Sequence, residues 1–287
     1  MENNYLLSHR SKEPENGVLY IVGTPIGNLN DISPRALNIL KNVSFIACED
    51  TRQTKKIMSK FHFSNNLISL NKHNSSFRIP KIINDLIEEK SVAIVSDAGM
   101  PSICDPGENV VKAVKSKGFS IICIPGPCAA ITALVSSGMP SSSFVFEGFL
   151  PKKKIDREKI LLEISKNEKT TILFESPHRL KKLLRELCAF CGGGREIEIA
   201  RELTKKFEEH IGTDLDGAIK IFEEREIIGE ITIVIKGIKK PKDQEFNREI
   251  LKEELKELID AGLSLSAASK FLAKKKGLKK SLIYKLN

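Results

Sequence analysis

No apolar run in these 287 residues approaches the roughly 18 that a membrane-spanning helix requires, so no transmembrane span is expected. The opening MENNYLLSHRSKEPEN has no apolar secretory core, and the expected compartment is the cytoplasm. Cysteine is sparse. Cys48, Cys104, Cys123, Cys128, Cys188 and Cys191 are scattered, mostly within apolar runs, and read as free thiols, because disulfide frameworks belong to small secreted domains. Cys188-Ala-Phe-Cys191 has metal-like spacing, yet no second Cys or His pair follows it. It reads as one turn of a helix ending at Gly192-Gly193-Gly194. Asp97, Asp105 and Glu108 do not make a convincing ligand set either, since Asp105-Pro106-Gly107 has the form of a helix entry capped by the aspartate. No metal is expected. The chain also lacks G-x-G-x-x-G and G-x-x-x-x-G-K-S/T, which disfavours dinucleotide oxidoreductases and P-loop phosphoryl transfer. No Ser-His-Asp or Cys-His set can be placed by spacing, and there is no internal repeat or low-complexity segment.

What is present suits a folded protein of about two domains at roughly 150 residues each, with room for a small third piece. With 41% hydrophobic and 29% charged residues, a chain of this length can bury a core without staples. The net charge of +9 is unevenly placed. Residues 261–287 hold seven lysines and no acid, whereas the other 260 residues carry 39 basic against 37 acidic groups. In LSLSAASKFLAKKKGLKKSLIYKL the lysines interleave with apolar residues at helical spacing. The tail is therefore expected to fold with a basic face suited to a polyanion.

Short β-branched runs alternate with amphipathic segments. Strands are predicted at Val18–Gly23, Ser44–Cys48, Leu67–Leu70, Val92–Ser96 and Ser120–Ile124. Between them lie helices opened by Ser33-Pro34, from Thr51, over Phe77–Lys90 and over 107–117. These strands are apolar on both faces, as parallel strands between helix layers must be. A second unit begins near Pro127, with helices at Ala129–Ser137, Lys152–Lys166 and Leu180–Phe190. Its strands are expected at Phe144–Gly148, Thr170–Phe174, Glu196–Ala200, Phe207–Ile211 and Glu230–Lys236. After the polar break at 239–243 the chain reads as all helical. The expected organisation is a disordered N-terminus over 1–16, α/β domains over 17–126 and 127–240, and a basic helical domain over 243–287.

Open α/β sheets bind ligands at the carboxyl ends of their strands. Three such ends carry Gly/Pro loops: Gly23-Thr24-Pro25-Ile26-Gly27-Asn28-Leu29, Ser96-Asp97-Ala98-Gly99-Met100-Pro101 and Pro125-Gly126-Pro127. Glycine lets a ligand approach the backbone and proline fixes the loop path, so three loops in one rhythm predict one cleft. Polar clusters follow other strands, at Glu49-Asp50-Thr51-Arg52, Glu175-Ser176-Pro177-His178-Arg179 and Arg201-Glu202-Leu203-Thr204-Lys205. Helix capping accounts for Asp50 and Ser176 but not for acid–base pairs at three successive sites. On residues alone, this is a ligand-binding α/β protein with a basic helical tail.

VGTPIGNLNDISPRAL, ACEDTR, VSDAGMPSICDPG, PGPCAAITALVSSGMP, FEGFLP, ESPHRL and ARELTKKFEE occur in the order found in the ribosomal RNA small subunit methyltransferase I family, which this chain resembles from Gly17 onward. That family methylates a cytidine 2′-hydroxyl of 16S rRNA and is a branch of the tetrapyrrole methylase superfamily. The resemblance implies two α/β domains of the tetrapyrrole methylase type around a cofactor cleft, a small C-terminal helix-turn-helix-like domain, and a homodimer. It implies S-adenosylmethionine as cofactor, held by Thr24, Pro25, Ile26, Gly27, Ser96, Asp97, Ile103, Ala129, Ala130, Phe174 and Leu203. The implied acceptor is a ribose in the decoding region of 16S rRNA, within the small ribosomal subunit, with Glu49, Asp50, Arg52 and Glu175 as candidates for orienting or deprotonating it. Lys274, Lys275, Lys276, Lys279 and Lys280 become candidate RNA contacts. One departure is His73-Asn74-Ser75, where the family usually has His-Asn-Glu. The alternative, a small-molecule methylase acting on a tetrapyrrole, is disfavoured by the basic tail and by GTPIGNL in place of the G-x-G-x-G-D-x-x-x-L-T expected of such enzymes. A non-enzymatic RNA-binding module would not need three ligand loops.

Overall fold

The computed structural model describes residues 12–71, 73–239, 248–276 and 278–286. The chain divides into two compact units, residues 1–237 and 238–287. Two five-stranded sheets make up the first unit. In its first sheet, β1 (Val18–Val22), β2 (Phe45–Cys48), β3 (Leu67–Ser69), β4 (Val92–Val95) and β5 (Ser120–Ile124) run in the order β3-β2-β4-β1-β5, and every pairing is parallel. Val18, Tyr20 and Val22 pack under α1 (Pro34–Asn42) and α2 (Thr51–Lys60). Leu19 and Ile21 point the other way, under α3 (Ser75–Ile87) and α4 (Glu108–Ser116). Burial on both faces is what the continuous apolar strands foretell.

Local chemistry sets the helix starts. Ser33 Oγ accepts from Ala36 N at 3.0 Å with Pro34 at the first position of α1, and Asp50 accepts from Arg52 N at 2.8 Å at the start of α2. The expectation for Asp105 fails. The residue that enters α4 is Gly107, at φ +147°, without a side-chain cap. Ser176 does occupy the cap position of α7, but its hydroxyl accepts from Arg179 Nε at 3.1 Å and does not cap the helix.

The second sheet is mixed. β6 (Phe144–Phe149), β7 (Thr170–Glu175), β8 (Glu196–Arg201), β9 (Glu209–Asp214) and β10 (Ile231–Ile235) lie in the order β6-β7-β10-β8-β9. Only β6 and β7 are parallel. β10 inserts antiparallel between β7 and β8, pairing Ile231 with both Glu175 and Arg201. The start of β10 thus lies at the edge where β6, β7 and β8 end. One face packs on α6 (Lys154–Lys166), α7 (Pro177–Cys191) and α8 (Leu215–Glu223), while α5 (Ala129–Ser137) covers the other, through Ala130, Ala133 and Leu134 against Ile172, Ala200 and Val234. α8 is absent from the sequence reading. It is capped by Asp214 Oδ1, which accepts from Gly217 N at 2.8 Å.

Of the N-terminal stretch expected to be disordered, residues 1–11 lie outside the described residues. The remainder is tied down: Glu13 pairs with Arg35 at 2.6 Å and its carbonyl accepts from Asn38 Nδ2 at 2.9 Å.

The second unit holds α9 (Arg248–Asp260), α10 (Leu265–Lys276) and α11 (Lys280–Tyr284) around a core of Leu251, Leu255, Ala268, Leu272, Ala273 and Ile283. The Pro-containing break expected at 239–243 lies, from residue 240, outside the described residues. The α/β architecture with a C-terminal helical region is as the sequence indicated.

Candidate active site

The three Gly/Pro loops interlock. Thr24 N donates to Gly99 O at 2.9 Å and Gly99 N to Thr24 O at 3.0 Å, while Thr24 Oγ1 donates to Ser96 O at 3.2 Å. A Cβ on Gly23 would stand 2.7 Å from the Cα of Gly126, so both loops need glycine where their backbones meet. From the second sheet, the β8–β9 loop closes on the first: Asn28 N donates to Thr204 Oγ1 at 3.0 Å, and Gly27 lies against Leu203–Lys205. Between them lies a cleft of about 350 Å³, the size of a drug-like ligand.

Of the sequence-nominated residues, Ile26, Ile103, Ala129, Phe174, Leu203 and Glu175 line this cleft. Thr24 and Ser96 are buried behind the wall and hold its loops, and Ala130 packs with Ile26 and Leu203. Pro25 and Gly27 belong to the clasping loop. Asp97 is exposed beside wall residue Ala98, and its Oδ1 accepts from Asp50 N at 2.9 Å. Glu49, Asp50 and Arg52 are not wall residues; Asp50 reaches the edge of the site through Asp97. The five nominated lysines belong to the other compact unit.

Glu175 is the buried charge of the wall, which also carries Asp105 and Glu230. The Glu175 side chain is fully buried, with Oε1 paired to Arg179 at 2.6 Å and accepting from Ser176 N at 2.8 Å. Oε2 has no hydrogen-bond partner. The guanidinium of Arg157, itself buried, stands 3.8 Å from Oε2 and is anchored by Glu186 at 2.7 Å. At the rim, the bidentate Arg52 holds the Asp50 carboxyl down to about 2. Loss of solvation pushes Asp97 up, reinforced by the charge of Asp50 and opposed by the hydrogen bond from its backbone. Phe174 meets Phe146 edge to face and Phe149 at a tilt, at centroid distances of 5.1 and 5.6 Å. α5 enters the cleft with no side-chain cap on its first-turn N–H groups. At the departure from the family pattern, Ser75 opens α3, while Asn74 accepts from Asn71 N at 2.8 Å.

Residues 18–218 match the family model for Tetrapyrrole (Corrin/Porphyrin) Methylases. The chain belongs to that family. A ribosomal RNA small subunit methyltransferase I of Synechocystis sp. is 41% identical over 271 residues, covering 94% of this chain and 97% of that protein. One of the same name from Thermotoga maritima is 46% identical over 221 residues, covering 77% of this chain and 99% of that relative. Within the family, the chain therefore groups with the ribosomal RNA small subunit methyltransferases I. The fold is also that of a uroporphyrin-III C-methyltransferase of Thermus thermophilus solved with S-adenosylhomocysteine. The TM-score is 0.54 at 13% identity, over 76% of this chain and 96% of that one.

Several wall residues of this family member are not among those nominated from the sequence, including Cys128, Phe149 and the run from Gly229 to Thr232, while Met100 lies in a loop the sequence assigns to the cleft. Phe149 is the second phenylalanine of the FEGFLP motif and is legible there. Gly229–Thr232 was not, because it reaches the cleft through an antiparallel strand entering by its amino end.

The clasp gives a direct expectation. A Cβ at Gly27 would lie 2.6 Å from Thr204 Oγ1 and 2.9 Å from the Leu203 carbonyl oxygen. Gly27→Ala should cost about 1–3 kcal/mol of stability, as overpacking does, read as a lower thermal midpoint. A midpoint equal to wild type would show that the loops part without cost.

Proposed function

We propose that this chain uses S-adenosylmethionine to methylate the 2′-hydroxyl of a cytidine in the decoding region of 16S rRNA, acting in the cytoplasm as a homodimer on RNA of the small ribosomal subunit. The observation that carries the reading is the cleft itself: Gly/Pro strand-end loops on one wall, and on the other the buried Glu175 with one carboxylate oxygen free of hydrogen bonds. The residues present fit the cofactor. Ile26, Ala129 and Leu203 offer an apolar slot for an adenine, and the uncapped start of α5 presents N–H groups to an anionic end. When bound, S-adenosylmethionine supplies a methyl group on a positively charged sulfur.

The chain's own work is then alignment and proton management. Alignment alone lowers barriers by roughly 7–11 kcal/mol in well-oriented systems. Rigid loops serve it: the Thr24–Gly99 bridge and the Gly23–Gly126 contact leave the wall little freedom. In this reading Glu175 Oε2 accepts a hydrogen bond from a bound donor. Asp50, Arg52 and Glu49 orient the ribose at the rim, and Asp97 fixes Asp50 to the edge of the site. The hydroxyl must also give up its proton, to one of these carboxylates or to water.

The test is chemical. Purified protein, S-adenosylmethionine with a labelled methyl group and small-subunit RNA should yield labelled 2′-O-methylcytidine on nuclease digestion and mass spectrometry. Label on a base, or on a tetrapyrrole in preference to RNA, would overturn the assignment.

The basic tail is the second part of the proposal, as an RNA-docking domain. Lys274 of α10, Lys279 at the cap of α11 and Lys280 face solvent, whereas Lys275, itself 60% exposed, and Lys276 share Glu254 of α9, at 3.9 and 2.5 Å. Neutralising all five to Gln should weaken RNA binding. It should also flatten its log–log salt dependence by about 2–3, since each lost phosphate contact removes roughly 0.7–0.9 from the slope. A wild-type slope, combined with a smaller sedimentation mass, would assign the tail to the dimer.

A further inference from the structure

The basic excess has a second home. Residues 150–185 hold eleven Lys and Arg against five Asp and Glu, a net of +6, and residues 261–287 carry +7, so the other 224 residues sum to −4. In the structure this first stretch begins beside the cleft and returns to it at Glu175. β6 delivers Phe149 to the wall, and three residues later the chain reads Lys152-Lys153-Lys154. β7 delivers Glu175, with Ser176 and Pro177 also on the wall, and α7 follows with His178, Arg179, Lys181 and Lys182. Three residues of extended chain span at most about 11 Å, so both lysine groups lie within a few nucleotides of the site.

α6 and α7 are neighbours, sharing the core of Leu161, Ile164, Leu180 and Leu184, and Arg157 joins them through Glu186. Glu186 also takes Lys182, which sets that lysine on the α6 side of α7, while Lys181 Nζ donates to Glu223 O on the α8 side at 3.3 Å. Lys152 and Lys153 are exposed and form no ion pair among the described residues. Lys154 and Lys182 are 86% and 75% exposed, each only 3.8 Å from a carboxylate one turn on. Such loose pairs contribute little to stability. α7 has no acid in its first turn, where the macrodipole favours one. That start is served from outside by Glu175, whose Oε1 accepts from Ser176 N at 2.8 Å and pairs with Arg179, and Lys181 and Lys182 lie beyond that pair. Phe149 stands 52% exposed ahead of the lysines, an aromatic ring of the kind on which unstacked bases stack, and Ile155, which follows Lys154, is 82% exposed.

We propose that this α6–α7 face is the track that holds the RNA phosphate backbone as it leads the acceptor nucleotide into the cleft. The inference rests on the proposed RNA-methylating function and assigns substrate holding to the first compact unit, in addition to the tail. Electrostatic contact there raises encounter and residence without reading sequence, leaving selection to the cleft.

The experiment uses the full chain. Lys152, Lys153, Lys154, Lys181 and Lys182 are changed together to Gln. Binding to protein-free small-subunit RNA is then measured against potassium chloride, and binding to S-adenosylmethionine by calorimetry. All five side chains reach solvent, and an unchanged thermal midpoint together with cofactor affinity within twofold of wild type certifies the fold. RNA affinity should fall at least tenfold near 0.1 M salt, and the log–log slope should decrease by about 2–4. If the variant keeps the wild-type affinity and slope while wild type methylates the RNA, the track is wrong and the function stands. If wild type binds cofactor but neither binds nor methylates RNA, the functional reading fails and the track with it.

Discussion

Ala129→Trp is expected to reduce affinity for S-adenosylmethionine at least a hundredfold, about 2.7 kcal/mol. Ala129 is the first residue of α5 and lines a cleft of about 350 Å³. An indole able to cover roughly 150–250 Å² has no other direction in which to go, because Ile26, Leu203 and Phe174 already pack in the cluster around it. The neighbouring Ala130 is 3% exposed and faces the core, so enlarging it should cost stability before it costs binding. Asp97→Ala acts differently. It frees the Asp50 backbone from the edge of the site, and a loss of about tenfold is expected. Titration calorimetry on folded protein reads both. An Ala129→Trp variant that binds the cofactor like wild type would place the cofactor elsewhere.

Glu175→Gln carries the second large effect, and it is double. Removing the carboxylate charge turns the Arg179 ion pair, on a guanidinium about one third exposed, into a neutral hydrogen bond and leaves the buried Arg157 with Glu186 as its one ionic partner. Breaking a buried ion pair costs about 3–5 kcal/mol; with Glu186 retained, about 3 is expected. For a unit of this size that lowers the thermal midpoint by roughly 6–12 °C. Methyl transfer below that midpoint should also fall, by about a hundredfold or more if Glu175 takes the hydroxyl proton. A variant that is destabilised yet transfers methyl at the wild-type rate would leave Glu175 a structural residue and move the proton acceptor to the rim carboxylates.

Legibility followed the range of the interactions. Ser33-Pro34 and Asp50 announced α1 and α2, and the observed α5 spans Ala129–Ser137, because caps and helix-forming runs act within a few residues. Asp105 misled for a complementary reason: an acid ahead of Pro-Gly is a good cap only if the backbone turns there. Instead, the turn runs through Ser102 and Cys104, both at positive φ, and Asp105 faces the cleft. α8 has local signals of its own, with Asp214 as cap and Leu215, Ala218 and Phe222 on one buried stripe, and the sequence reading omits it all the same.

By itself the sequence determined the parallel first sheet, whose strands must be buried on both faces. It also determined the rhythm of the Gly/Pro loops and the basic excess of the last 27 residues, each a property of neighbours in the chain. Tertiary structure alone decided the insertion of β10 between β7 and β8, which brings Gly229–Thr232 to the cleft. It alone joined Arg157 to Glu175 and set Glu254 against two of the tail lysines. Strand order and ion pairing between distant elements are settled by which apolar faces can be buried together. That choice depends on the whole packed chain and leaves no mark in any one stretch of it.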